Sequence, residues 1–177
     1  MRAVLDLFWQ LCTFRAGPER MPTVGLFVVL VLALNLLVST AVALSAPGIA
    51  STGAAVTLPV VMAAVLAAAL RAALQLRGLV HRFTATFTAL LGADAVVTAL
   101  QWPLLLLAPP AGTEPTDGLL TLLLVGQLGL FVWWIAILGF VLSRALSVGR
   151  AQGTALAILF MLVTIVVSSP FTAPEVT

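Results

Sequence analysis

The stretch Arg77-Gly-Leu-Val-His-Arg-Phe-Thr-Ala-Thr-Phe-Thr-Ala-Leu-Leu-Gly-Ala-Asp-Ala-Val-Val-Thr-Ala-Leu-Gln101 begins basic and turns apolar. It then carries one carboxylate, Asp94, far inside the apolar run. The run continues to Leu107, which as a helix is long enough to cross a hydrocarbon core of about 30 Å. Its basic start marks the end that stays among the headgroups. Repeating this reading along the chain lays out the fold.

The composition agrees with a membrane solvent. The chain has 177 residues, 62% hydrophobic and 8% charged. A soluble domain carries about 25% charged residues, so a surface this poor in charge must be solvated by lipid. All eight basic residues are Arg. They give a pI near 10, but they sit beside spans, which argues against nucleic-acid binding. A lone cysteine, Cys12, excludes an intrachain disulfide, and a lone histidine, His81, excludes a multi-histidine metal site.

Residues 1–15 are too short and too polar to span. As a helix they put Val4, Leu5, Phe8, Leu11, Cys12 and Arg15 on or near one face and Asp6 and Gln10 on the other. This predicts an interfacial amphipathic helix, with Phe8, Trp9 and Leu11 at the headgroup boundary. A Gly/Pro break follows at Ala16–Pro22. Five spans are then predicted, at about 22–44, 54–75, 83–107, 119–142 and 154–168. Pro22 suits the first turn of span one. The end of that span, Ala41-Val-Ala43, is similar to a signal-peptidase site, but the segment before it is too long for a signal n-region. Span two is rich in alanine, which permits close helix approach and predicts a central position in the bundle. Ala108–Asp117 reads as a Pro-rich acidic loop, Ser143–Gly153 as a short basic loop, and Pro170–Thr177 as an acidic tail. The expectation is one all-α integral membrane domain: five transmembrane helices plus the N-terminal interfacial amphipathic helix.

The arginines orient it. With five spans, Arg2, Arg15, Arg20, Arg71, Arg77, Arg82, Arg144 and Arg150 all fall on one side, and Glu114, Asp117 and Glu175 on the other. The positive-inside rule predicts a cytoplasmic N-terminus and an extracytoplasmic C-terminus in a bacterial inner membrane.

Asp94 is the sharpest candidate for chemistry. At about 11 residues into its span it lies roughly 16 Å deep, near the bilayer midplane. A charge there costs on the order of 3 kcal/mol or more, so such residues face a bundle interior or a wet cavity. Thr98 and Gln101 share its face, and Arg71 lies within reach as a possible partner across the second turn. The candidate intramembrane polar site is therefore Asp94, Thr98, Gln101 and Arg71. The functional reading is proton or ligand handling. The alternative is a carboxyl that pins span three to a neighbour, with Arg71 snorkelling to the headgroups. Arg77, His81 and Arg82 are candidate lipid headgroup contacts. Asn35, Ser39 and Gln127 read as interhelical hydrogen-bonding residues. No nucleophile–base set, metal cluster or phosphate-binding glycine pattern stands in the sequence, so neither an enzyme nor a cofactor is expected.

The five-span layout, with the segment Arg82-Phe-Thr-Ala-Thr-Phe-Thr-Ala-Leu-Leu-Gly92 opening a span after a basic turn, resembles the Yip1-like membrane proteins. The opening Phe14–Pro22 is similar to the start of small bacterial inner-membrane proteins. The resemblance implies topology and carries over no functional residue. The leading expectation is a non-enzymatic scaffold, assembly factor or lipid-organising subunit. It would act through helix–helix contacts with membrane lipids and a membrane-protein partner or a second copy, and not with nucleic acid. The rival is a small transporter or permeation subunit using Asp94.

Overall fold

In lipid, every backbone N–H and C=O must find its partner within its own segment, so each apolar run is driven into a helix. The structure, a computed structural model, describes residues 2–46, 49, 51–107 and 117–171. The helices are α1 (Arg2–Cys12), α2 (Gly25–Ser45), α3 (Thr52–Leu76), α4 (Phe83–Leu106), α5 (Asp117–Ala145) and α6 (Arg150–Ser168). Those from α2 to α6 are long and apolar enough to cross a membrane, α4 together with the turn before it. The protein is an all-helical, multi-pass membrane protein. The Pro-rich loop up to residue 116, the acidic tail from 172, and the side chains of Val4 and Leu5 lie outside the described residues.

The spans differ from expectation at their ends. Pro22 precedes α2 instead of opening it. The basic loop expected at Ser143–Gly153 shrinks to residues 146–149, because α5 runs on to Ala145 and α6 starts at Arg150. Ser143 and Gly153 are therefore helical and buried. The cause is a tight C-terminal cap that the residue types do not advertise. Ser147 takes a left-handed conformation at φ 53°, and Val148 N donates back to Ser143 O at 3.0 Å. Gly78 performs the same turn after α3 at φ 68°, with Leu79 N donating to Leu74 O at 2.8 Å. Glycine is the usual residue there because it lacks a Cβ to clash.

Arg82 ties these two turns together. Its Nη1 donates to Ser147 Oγ at 2.9 Å and to the carbonyls of Arg144 and Ala145 at 3.3 Å. The last carbonyls of α5 thus face a cation, which suits the negative end of the helix dipole. Of the candidate headgroup contacts, Arg77 and His81 are exposed, whereas Arg82 is half-buried and engaged within the protein. Arg82→Ala is expected to cost about 1–2 kcal/mol. Arg82→Lys should recover part of that. Thermal unfolding in detergent, followed by tryptophan fluorescence, measures both; equal midpoints for wild type and Arg82→Ala would refute the cap.

The centre of the bundle is α4, not the alanine-rich α3. Thr86–Ala93, Ala95 and Val97 are buried, and α4 packs on α1, α2, α3 and α5. Several alanines of α3, including Ala64, Ala68, Ala69 and Ala72, are exposed. Small residues permit close approach but do not summon a neighbour. At Gly92 the permission is used: an added Cβ would collide with the Phe8 ring.

That contact shows where the N-terminal face goes. Phe8, Leu11 and Cys12, two of them expected among headgroups, lie in the protein core, while Trp9 is 54% exposed. The Phe8 ring stacks on Phe27 with centroids 6.3 Å apart, and Trp133 Nε1 donates to Cys12 O at 3.1 Å. Phe14, in a left-handed conformation at φ 62°, meets Phe140 edge-on at 5.5 Å. Helix α1 is docked along α4 and α5 by its apolar face. Burial pushes the Cys12 thiol up to about 11. A shift of that size lowers the thiolate fraction about a hundredfold. Maleimide labelling at neutral pH should therefore be slow in the folded protein and fast in denaturant. Rapid labelling in mild detergent would show that α1 does not stay docked.

Candidate functional site

Asp94 sits in the middle of α4, at the depth where α2, running parallel to it, presents Asn35. Asn35 is 3% exposed, with only aliphatic residues from Val28 to Leu34 before it and from Leu36 to Val38 after it. Its carboxamide donates to Asp94 Oδ2 at 2.8 Å and to the Leu91 carbonyl at 3.1 Å. One residue thus binds the carboxylate and a backbone oxygen of the neighbouring helix, and it fixes the register of α2 against α4. This is the satisfied arrangement that a polar group at such depth requires.

The carboxylate is not sealed in. Beside it lies a half-open cavity of about 380 Å³ to which all five spans contribute. Its polar lining comes from Asn35, Ser39, Asp94, Thr98 and Thr164; Pro59, Leu66, Trp134 and Phe160 are among its apolar walls. It runs from the level of Leu91 and Asp94 to Ala43 and Ile49, at the end of the bundle that carries the α2–α3 loop. Thr164 Oγ1 turns back onto the Met161 carbonyl. The hydroxyls of Ser39 and Thr98 make no side-chain hydrogen bond among the described residues, and no buried side-chain oxygen or nitrogen there lacks a partner. Ser39, Thr98 and the second carboxylate oxygen of Asp94 are the groups left to meet a guest.

The predicted site is thus partly assembled. Asp94 and Thr98 line the cavity together; Gln101 is half-buried farther along α4 and does not line it. Arg71 lies on an exposed face of α3, and the hydrogen-bond partner of Asp94 is Asn35. Asn35 makes the interhelical hydrogen bonds expected of it, and both it and Ser39 line the cavity beside Asp94. A signal existed: both are polar, four residues apart on one helical face, and at the depth of Asp94. Trp134 and Thr164 carried no such signal.

No family model matches the chain, and neither a curated protein nor a solved structure matches it.

Proposed function

We propose that this protein is a small membrane carrier or permeation subunit that takes a proton or a small cationic or polar solute at Asp94. The observation that supports this is the cavity itself: a carboxylate midway along its span that accepts a hydrogen bond from Asn35 and lines a half-open space. An intramembrane ionisable group facing such a space is the usual mark of a solute pathway. Pre-organisation by Asn35 fits the same role, because the carboxylate is oriented before a solute arrives. The arginine asymmetry supports a cytoplasmic N-terminus, which makes the cavity open toward the extracytoplasmic half.

Proteoliposomes with an entrapped pH dye, and with radiolabelled methylammonium outside, test the reading. Wild type is expected to raise proton or methylammonium entry above protein-free vesicles, and Asp94→Asn to return it to that baseline. Asp94→Asn should still fold, because a carboxamide oxygen can accept from Asn35 as the carboxylate does. Entry equal in wild type, variant and empty vesicles would overturn the carrier role.

A scaffolding role through helix–helix contacts is the second reading. It is favoured by α6, of whose most apolar stretch only 6% is buried within the chain. Crosslinking in native membranes followed by mild-detergent purification should then recover a partner or a second copy. A strictly monomeric protein with an intact, solute-conducting Asp94 site would set this reading aside.

A further inference from the structure

The polar cavity has an apolar neighbour. A second cavity of about 230 Å³ lies between α3 and the α5–α6 hairpin and shares Leu66 and Phe160 with the first. Its walls are Ala, Leu, Phe and Val throughout, from Leu66 to Leu76 on α3 and from Leu138 on α5 to Leu146 just past its end. At the helical rise the stretch from Leu66 to Leu76 spans roughly 15 Å, about half the hydrocarbon core. Placed on either side of Leu66 and Phe160, the two cavities offer a hydrogen-bonding arm and a purely apolar arm about one leaflet long. Together they fall in the size range of small-molecule sites.

We infer that the two cavities join past Leu66 and Phe160 into one cleft that binds a membrane amphiphile whose head is a hydrogen-bond donor or an ammonium and whose single hydrocarbon tail fills the apolar arm. The inference rests on reading the Asp94 cavity as a binding site and goes on to name what it takes. The head chemistry follows from the lining. The polar arm offers a carboxylate, a carboxamide and hydroxyls, and neither arm is lined by an Arg or His. An anionic head would meet Asp94 with no cation to offset it, so phosphate and carboxylate heads are rejected. An ammonium or hydroxyl head gains a charge-assisted hydrogen bond to the free oxygen of Asp94. The tail chemistry follows from the second arm, which offers no polar side chain to anything within it. A molecule of the leaflet on the α2–α3 loop side would enter between α2 and α3, sink its head to Asp94 and thread its tail past Leu66 and Phe160.

The test uses the full chain in phosphatidylcholine nanodiscs. Probes are a long-chain primary alkylamine, brominated next to its head, and the alkyl carboxylate with the same tail. Trp134 lines the polar arm, so the difference in bromine quenching between wild type and Trp134→Phe reports occupancy. The amine is expected to quench at a concentration at least about tenfold below the carboxylate, the size of one charge-assisted hydrogen bond. Asp94→Asn should erase that preference, and Ala69→Phe, which fills the apolar arm, should weaken the amine by a similar factor. Ser39→Leu narrows the polar arm without touching the Asn35–Asp94 pair, and should also reduce quenching if Asp94→Asn proves unfolded. Equal quenching by amine and carboxylate overturns the inference, as does amine quenching that Ala69→Phe leaves unchanged. Methylammonium entry through wild type alongside either of those results would leave the carrier reading standing alone. Selective amine binding without any solute entry would sustain the cleft and remove the carrier.

Discussion

Replacing Gly153 with leucine is expected to pry α6 from α5 and lower stability by about 3 kcal/mol, the upper end of ordinary overpacking. A Cβ at Gly153 would strike the Gly139 carbonyl and come within 2.7 Å of the Ser143 Cβ and 2.9 Å of the Ser143 backbone nitrogen. Those are backbone and near-backbone atoms with no flexible end to swing aside. Seen from the other side, a Cβ on Gly139 would sit 3.0 Å from Thr154 Cα. In lipid no hydrophobic force holds two apolar helices together, so close packing of small residues carries the association. Gly139 and Ser143, one turn apart on α5, form the seat for Gly153. Gly129→Ala is the matched control: nothing lies within 4 Å of its added Cβ, and alanine favours a helix by about 1 kcal/mol over glycine. Midpoints of thermal unfolding in one detergent compare the two. A Gly153→Leu protein as stable as Gly129→Ala would contradict the α5–α6 packing described above.

The second large effect is expected at Asn35. Asn35→Leu removes the two hydrogen bonds that Asn35 makes to α4 and leaves Asp94 Oδ2 without its donor, while the Leu91 carbonyl keeps its place in the α4 helix. Interhelical hydrogen bonds in membranes average below 1 kcal/mol, but stranding a carboxylate adds its desolvation, so about 2 kcal/mol is expected. Asp94→Leu alone strands only a carboxamide, and the double variant strands neither of that pair. A double-mutant cycle on unfolding midpoints should therefore show coupling of about 1 kcal/mol or more, with the double variant more stable than Asn35→Leu by itself. Strict additivity would mean that the pair does not form in the membrane.

The two predictions differ in how far the residues could be found without coordinates. Asp94 was conspicuous, since a lone carboxylate in an apolar run has few innocent settings. Asn35 was visible as a polar residue in a span, but not as the partner of Asp94; Arg71 competed for that place by charge. The geometry favours the carboxamide because Asn35 reaches Asp94 directly from the parallel neighbour α2, while Arg71 faces outward from α3. Gly139 and Gly153 were harder. Gly126 and Gly129 lie in the same span with the same composition around them, yet only Gly139 meets backbone. A Cβ on Gly126 would touch only the movable end of Leu104, at 3.1 Å.

The amino-acid sequence by itself determined the helical class, the presence of five helices long and apolar enough to span, the arginine-free character of one set of loops and the place of Asp94 midway along its helix. Each of these is a property of one segment. Lipid obliges every span to satisfy its own backbone, so length and apolarity decide it without reference to neighbours. The tertiary structure alone decided that α4 is central, that α1 docks by its apolar face, that Arg82 caps α5, and that Asn35 and Ser39 join Asp94 around a cleft. The physical reason is that these spans are apolar on every side. A helix in water announces its inward face by where its polar residues are not. A helix in lipid carries no such contrast, and its partners are chosen by fine surface shape and a few hydrogen bonds that only the packed coordinates display.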